Sequence, residues 1–587
     1  MQNSTQNSNK LQELKYTEIL TANKLLGEKL AQQAQQEIVV LSNIITSQFN
    51  HIVEYVLRKQ RLNAKVDSGD YDNIVQDSEK YANKNAVIIF WELANLVDGL
   101  QYKAESMSAE HISALINKTK QEIDFVFQNL ASTPIVILNQ FSTLVFNQYF
   151  LKNNQFDTIA IELNKYVSEN LPKNFIIVPM DKVFAQISVN KSIDLRYYYS
   201  SKALYNIDFY KQYAAFIAPI IFSVHGKTKK ALIFDCDNTL WKGIVGEDGI
   251  AGISLSTQNK NGTVFEEVHY LANQLSKEGI IVGLCSKNND NDVLEVFEKR
   301  KDFALQEANI LIKKINWQDK VSNLQAIAEE LNIGIDSLVF VDDSSFEINH
   351  VNQSLPEVKT IQVPSALHNY PTLLRENLSL FYKHNQTNED KKRVEMYKQE
   401  AVRKDEQQKY STIEDYLYAL ELEISVSMND FNSLERAAQL TQKTNQFNLT
   451  TKRYTQTDLH NLIDNQNYQL YTFGVKDKFG DYGLTGMALI NISDENAEID
   501  TFLMSCRVLG RNIETAFLSF IINDLQQINI KHIFANYFKT LKNSQVLSFY
   551  EKLNFEVIKE EADSKEYKFK TIDFSYCPID YIKIQLL

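Results

Sequence analysis

The stretch KKALIFDCDNTLWKGIVGEDG (residues 229–249) runs four apolar residues, Ala231–Phe234, straight into Asp235 and sets a second aspartate two positions on, at Asp237. A short, uninterrupted apolar run closed by polar residues reads as a strand buried on both faces, as in a parallel sheet covered by helices. Ligands of such sheets sit at the C-terminal ends of the strands. The stretch therefore predicts both a fold and the place in it where two carboxylates would meet a substrate. Behind them lie Thr239 and a glycine-punctuated loop, expected to be mobile.

Working outward, four more segments repeat the pattern: GIIVGLCS (279–286), ANILIKK (308–314), DSLVFVDD (336–343) and VKTIQVP (358–364). Between them Val321, Leu324, Ile327 and Leu331 fall on one face of a helix. Residues 227–384 thus form a doubly wound α/β unit. Upstream, EIVVLSNI (37–44), NAVIIFWE (85–92) and TPIVILNQ (133–140) predict a second parallel layer over 35–226, after a polar head and leading helix at 1–34. Downstream, the mixed charges of NEDKKRVEMYKQEAVRKDEQQK (388–409) predict a solvated connecting helix within 385–418. Strand-like alternation at 419–428, 468–490 and 497–505, then a helix at 511–525, predicts a mixed α+β domain over 419–587.

The 587 residues are too many for one core, and 44% hydrophobic with 23% charged content is that of folded, multidomain protein. A net charge of −13 argues against nucleic acid as a partner. The four cysteines, Cys236, Cys285, Cys506 and Cys577, are too scattered for a disulfide framework or zinc site, which fits a reducing cytoplasm. The longest apolar stretches, such as YAAFIAPIIFSV (213–224), are too short to span a bilayer, and the start lacks a signal-peptide core. No membrane association is expected.

Each α/β strand of the middle unit hands a polar group to the same edge. Asp235, ionised, can attack phosphorus, and Asp237 can serve as acid and base for the leaving and entering groups. The Ser286 hydroxyl can hold a phosphoryl oxygen, and Lys320, opening a helix, can neutralise a transferring phosphoryl group. Asp342 and Asp343 supply, with Asp235, hard oxygen ligands that suit Mg²⁺. Lys313 and Lys314 compete for the lysine role but lie at a strand end. His350 is expected to be structural.

In order and spacing these elements resemble the haloacid dehalogenase (HAD) phosphotransferase superfamily, whose signature is DxDx[TV], then Ser or Thr, then Lys, then an acidic pair. The resemblance implies Asp235 and Asp237 as catalytic, Thr239, Ser286 and Lys320 as phosphate-binding, and Asp235, Asp237, Asp342 and Asp343 as the Mg²⁺ set. Between Thr239 and Val264 there is no room for a large cap domain, so the site is expected to be open to a group carried on a macromolecule.

DNTLWKGIVGEDG, NWQDKVSNLQAIAEELNIG and LVFVDD, with LTQKTNQFNLTTKRYT (440–455), KDKFGDYGLTG (476–486), SCRVLGRNIE (505–514) and KNSQVLSFYEKLNF (542–555), resemble the FkbH-like proteins. These join an SGNH-like layer, a HAD-like Rossmannoid sheet and a GNAT-like acyltransferase domain, and the resemblance spans nearly the whole chain. It implies removal of phosphate from a 1,3-bisphosphoglycerate-like glyceryl phosphate and loading of the acyl group on the phosphopantetheine arm of an acyl carrier protein, in polyketide or surface-polysaccharide biosynthesis. Cys506, at a strand end and flanked by Arg507 and Arg511, is the expected acyl-holding thiol. Cys236, Cys285 and Cys577 are expected to be packing. Arg507, Gly510 and Arg511 keep the first part of a GNAT pyrophosphate loop and are the expected pantetheine-binding residues. Asn512 replaces its small last residue, which counts against ordinary acetyl-CoA. Asn543 and Tyr550 fall in the fold's last helical segment, where Asn554 stands in place of glycine.

The SGNH-like layer lacks a GDS nucleophile motif and an Asp-x-x-His partner, so hydrolysis is not expected there. Asn43, Glu92, Asn95 and Asn139 near strand ends would either line a cleft or serve as turn and cap residues. The competing functional readings are a plain HAD phosphatase of a phosphorylated sugar or carrier-bound phosphoester, with the GNAT-like part docking only, and a scaffold with a vestigial site.

Overall fold

A computed structural model describes residues 11–384, 399, 403, 406, 407, 409–465, 467–540 and 543–587. The chain is an α/β multidomain protein that divides into two compact units, Met1–Val224 and His225–Leu587.

In the first unit five parallel strands, β1 (Gln36–Ser42), β2 (Ala64–Ser68), β3 (Ala86–Phe90), β4 (Val136–Asn139) and β5 (Phe175–Val178), lie in the order β2-β1-β3-β4-β5. The three expected strands are its centre, and the edges β2 and β5 are additional. β2 carries Lys65 and Asp67 and is buried only at alternate positions, so it shows no apolar run. The apolar stretch ending at Val224 belongs to helix α1 (Ile207–Val224), whose Phe209, Tyr210 and Tyr213 pack with Phe49 and Phe90 of the core. Among the described residues no helix is long and apolar enough to cross a membrane.

The second unit holds two sheets. One has five parallel strands, β6 (Ala231–Phe234), β7 (Ile281–Ser286), β8 (Ile310–Ile315), β9 (Leu338–Asp342) and β10 (Lys359–Gln362), in the order β10-β9-β6-β7-β8. Successive residues supply opposite faces: Leu232, Phe234, Val339 and Val341 enter one core, Ala231, Ile233, Leu338 and Phe340 the other. β6 is thus buried on both sides, which forces its first polar side chains to its end. The helix predicted at Val321–Leu331 is α2 (Lys320–Glu330), with Leu324 and Ile327 in the second of these cores.

The other sheet is mixed: β11 (Leu422–Met428), β12 (Phe447–Asn448), β13 (Tyr468–Asp477), β14 (Gly480–Ser493), β15 (Asn496–Met504), β16 (His532–Phe538), β17 (Glu556–Glu560), β18 (Ser564–Lys570) and β19 (Ile582–Leu586), ordered β17-β18-β16-β15-β14-β13-β11-β19. The single alternating stretch at 468–490 is a hairpin, β13 with β14. β15 and β16 run parallel but pair only over Asn496–Ile499 and His532–Ala535. Beyond that the strands are bridged by β12 and its successor: Leu449 donates to Phe502 O at 3.2 Å and accepts from Phe538 N at 2.9 Å. Helix α3 (Ile513–Gln527) covers one face through Phe517 and Ile521.

Most of the connecting helix expected at 385–418 lies outside the described residues, as does the polar head at 1–10. Arg403, expected on a solvated face, is instead buried: Nε and Nη2 grip the Asp477 carboxylate at 2.7 and 2.8 Å, and the guanidinium stands 4.3 Å from the Tyr482 ring centre. Local charge density cannot reveal a partner seventy-four positions away.

Candidate active site

β6, β7 and β9 end side by side, so Asp235, Ser286 and Asp342 meet at one edge of the sheet. Asp235 N continues the ladder onto Val341 O at 2.9 Å, which fixes where its side chain leaves the strand. Lys320, first residue of α2, reaches back between the carboxylates: Nζ lies 2.6 Å from Asp235 Oδ1 and 2.7 Å from Asp342 Oδ2. Ser286 Oγ donates to the same Asp235 Oδ1 at 2.8 Å. All four side chains are buried. Helix start and strand ends thus build one compact charge cluster.

The electrostatics follow from that crowding. Burial works against the Lys320 ammonium, but the charges and hydrogen bonds of Asp235 and Asp342 outweigh it and raise its pKa. Burial and the nearby Asp235 charge push the Asp342 carboxyl upward, opposed by Lys320, and the same two causes raise Asp343. Oxygens of Asp235, Asp342 and Asp343 come within 4.8 Å of one another, a donor set that fits a hard divalent cation. Ser344 N at 2.8 Å holds Asp342 Oδ1 in place.

Asp237 is not in that three-carboxylate cluster. Its Oδ1 accepts from Trp241 Nε1 at 2.9 Å and Val245 N at 3.0 Å, and its Oδ2 from Asn288 Nδ2 at 2.9 Å. The side chain is held by the loop that follows β6 and by Asn288, while the side-chain oxygens that come together are those of Asp235, Asp342 and Asp343. Asn288 also donates to Ser286 Oγ at 3.1 Å, tying the two halves together. It was not among the sequence candidates; the signal available was its position two residues past Ser286. The Thr239 hydroxyl is fully buried and has no hydrogen-bond partner. It is an orphan polar atom two residues beyond Asp237.

Lys313 and Lys314 pair with Glu307 and Glu330 on the surface, leaving Lys320 as the site lysine. The glycine loop is organised: Lys242 and Ser254 exchange backbone hydrogen bonds at 2.8 and 2.9 Å, and a short helix, Val245–Gly252, follows. Between Thr239 and helix Gly262–Lys277 there is no inserted domain. Cys236 and Cys285 are buried in the cores on either side, their thiols pushed up by burial, and Cys577 is exposed.

The remaining candidates lie elsewhere. Cys506 follows β15, half-buried, and contacts the parallel-sheet domain: Sγ donates to Asn332 O at 3.3 Å and Asn332 Nδ2 donates to Cys506 O at 2.8 Å. Asn332 follows the C-terminal end of α2 and Lys320 opens it, so the helix rise alone separates the backbones of these two residues by about 16–18 Å and sets the thiol and the charge cluster at opposite ends of the helix. Arg511 is buried, donating to Tyr482 OH and lying 4.0 Å from Asp477, so it is turned into the Arg403–Asp477 network rather than toward an incoming anion. Arg507 donates to Ser505 Oγ at 3.2 Å, and Gly510, at φ +76°, is exposed. Asn543 is a buried staple between Asn448 O and Phe538 O, Tyr550 is core, and Asn554 adopts a left-handed φ of 64° that asparagine tolerates. In the first unit Asn43 and Asn139 clamp the backbone of residues 91–92, and Asn95 bonds Asn43 O and Tyr198 OH. These bonds join neighbouring strand ends far apart in sequence rather than closing local turns. Lys542 of the quoted C-terminal stretch lies outside the described residues.

No family model matches the chain, and no curated protein matches it. Among solved structures, the N-terminal part of a Bacteroides fragilis protein containing a phosphatase domain, complexed with Mg, is similar over 64% of this chain and 100% of its own length, at 24% identity and TM-score 0.56. The Escherichia coli ribosomal-protein-S18-alanine N-acetyltransferase and Thermoplasma volcanium Ard1 each align with 25% of the chain, covering 94% and 97% of their own, at 11% and 13% identity and TM-score 0.21. Over most of its length the chain therefore shares the fold of a segment that contains a phosphatase domain.

Proposed function

We propose that the chain is a Mg²⁺-dependent, HAD-type phosphoryl-transfer enzyme. The observation that carries this reading is the buried Asp235–Lys320–Asp342 cluster, with Ser286 on Asp235 and Asp343 completing a cation-binding triplet. Bound there, Mg²⁺ would neutralise phosphoryl oxygens and offset the repulsion between substrate and carboxylates. Asp235 attacks phosphorus; the bond from phosphorus to the leaving oxygen breaks, and Asp237 gives that oxygen its proton. Water then attacks the aspartyl phosphate and gives up a proton to Asp237, breaking the bond from phosphorus to Asp235 and releasing phosphate with both aspartates restored. Ser286, Lys320 and the orphan Thr239 hydroxyl hold the phosphoryl oxygens. Phosphate release from acetyl phosphate and from a panel of sugar and glyceryl monoesters, with and without Mg²⁺, tests this. Equal release by wild type and Asp235→Asn would overturn it.

The finer reading is that an acyl unit, glyceryl in type, is loaded on an acyl carrier protein in cytoplasmic biosynthesis. Attack by Asp235 on an acyl phosphate at phosphorus would expel a carboxylate and waste the activation. Loading therefore needs a thiolate attacking the acyl carbon, with phosphate leaving, while Asp235 acts on a separate phosphomonoester, as a bisphosphorylated glyceryl donor would supply. Cys506 supports this reading as a half-buried thiol at a strand end. Its distance from the cluster requires a mobile arm, such as phosphopantetheine, between the steps. The alternative, a phosphatase whose C-terminal domain only docks, is favoured by the engagement of Arg511 and of the Cys506 thiol. Intact mass after incubation with 1,3-bisphosphoglycerate and a carrier separates them: a glyceryl adduct absent in Cys506→Ala supports loading, and phosphate release without any adduct supports the alternative.

A further inference from the structure

Two large aromatic side chains stand at the mouth of the phosphoryl cluster and are turned into solvent. Trp317, three residues before Lys320, is 70% exposed, and Phe346, three residues after Asp343, is 71% exposed. Trp317 is bonded to the loop that follows Ser286, and the helix that carries Phe346 is bonded to the same loop, while the Phe346 ring itself lies 6.2 Å from the His350 ring. Trp317 Nε1 donates to Asn289 Oδ1 at 3.0 Å, and Glu347, next to Phe346, pairs with Lys287 at 2.7 Å. Asn316 N also bonds Ser286 O at 3.1 Å, and the helices opened by Lys320 and Ser345 pack on one another. The segments that carry the two rings are therefore joined through the same three-residue loop.

A single exposed aromatic needs no explanation, but two on the rim of a buried anionic site define its outer wall. On this rim Lys287 is paired with Glu347, and the exposed Lys242 lies near enough to Asp343 to act on its charge. The rim offers aromatic surface beside the charged cluster. The missing cap domain leaves that surface open.

Resting on the phosphoryl-transfer reading, we propose that Trp317 and Phe346 are specificity residues that take an extended, uncharged chain joined to the phosphoryl group, so that the substrate is a phosphomonoester at the end of a chain. On the acyl-loading reading, this sets the order of events. The acyl unit is loaded first, and its phosphate is removed while it hangs from the carrier's arm.

The test is calorimetric titration of the full chain, with Mg²⁺, using hexylphosphonate and methylphosphonate, which differ only in the chain. The wild type is expected to bind hexylphosphonate about tenfold more tightly, as partial burial of five extra methylenes implies. Trp317→Ala and Phe346→Ala each reduce that ratio about threefold, and Trp317→Tyr, which keeps a ring, restores most of it. A wild-type ratio near one, or a ratio unmoved in both alanine variants, overturns the proposal. Phosphate release from acetyl phosphate on the same samples separates the two failures. Release with no chain preference removes the rim and leaves the phosphatase, whereas no release and no phosphonate binding removes both.

Discussion

Replacing Lys320 by methionine keeps the side-chain length and removes one ammonium from between two buried carboxylates, 2.6 and 2.7 Å away. Taking one partner from a buried ion pair costs about 3–5 kcal/mol, because the charge left behind is neither solvated nor paired. In the absence of divalent cation the second unit is expected to lose stability on that scale. Mg²⁺ changes the comparison, since Asp235 and Asp342 belong to the triplet that would hold it. With the competing ammonium gone, Mg²⁺ affinity rises, and each tenfold gain adds about 1.4 kcal/mol of ligand-dependent stability at saturating cation. Catalysis moves the other way. Loss of one preorganised positive donor at a transferring phosphoryl group is expected to lower kcat about 10²–10³-fold. The assay is urea unfolding of wild type and Lys320→Met over a Mg²⁺ titration, with phosphate release on the same samples. The decisive signature is a larger Mg²⁺-induced stabilisation in the variant joined to a collapse of turnover. Equal stabilisation in both proteins, or a kcat reduced less than fivefold, would refute the reasoning that Lys320 and the cation share these carboxylates.

Three further outcomes are expected. Arg403→Met should destabilise the second unit by about 3–5 kcal/mol, and Arg403→Lys should not restore it because an ammonium cannot reproduce the two-point grip on Asp477; an urea midpoint unchanged in Arg403→Met would contradict this. Burial pushes the Glu92 carboxyl up to about 7 despite hydrogen bonds from Tyr205 and Ala94, so its protonated form suits the fold. Stability from this group is full below the ordinary carboxyl range near 4.5 and is lost as pH rises to about 7, a change of about 3 kcal/mol. Glu92→Gln should therefore gain on wild type between pH 4.5 and 8, and a pH-independent difference in unfolding would count against that assignment. Asn288→Ala and the non-donating Asn288→Asp should both lower kcat about tenfold with KM little changed, because Asn288 positions Asp237 and Ser286 rather than binding substrate; full activity in Asn288→Asp would show that its hydrogen-bond donation is dispensable.

Much of this site was legible because its residues obey a positional rule. Asp235, Ser286 and Asp342 each end an apolar run, and Lys320 opens an amphipathic helix, so alternation and periodicity located them before any geometry was known. Spacing could not say what a side chain bonds to. Asp237 was singled out by its spacing from Asp235, and nothing in that spacing told that Trp241, Val245 and Asn288 bond its oxygens. Asn43 and Asn139 stood at strand ends like cleft residues, but their amides brace neighbouring backbone. Arg403 was indistinguishable from its charged neighbours because its burial depends on Asp477, far along the chain. The distance between Cys506 and the cluster likewise arises only when two domains pack.

The bridging of β15 and β16 by Phe447–Leu449 has its own consequence. Where two parallel strands part, each leaves a row of backbone donors and acceptors on which a linear amide-bearing molecule could be threaded, and here the chain has threaded itself. With Leu449 bonded to both Phe502 and Phe538 and Asn543 pinning the junction, the slot is already sewn shut. A guest entering this domain must unpick that seam or come in by another door.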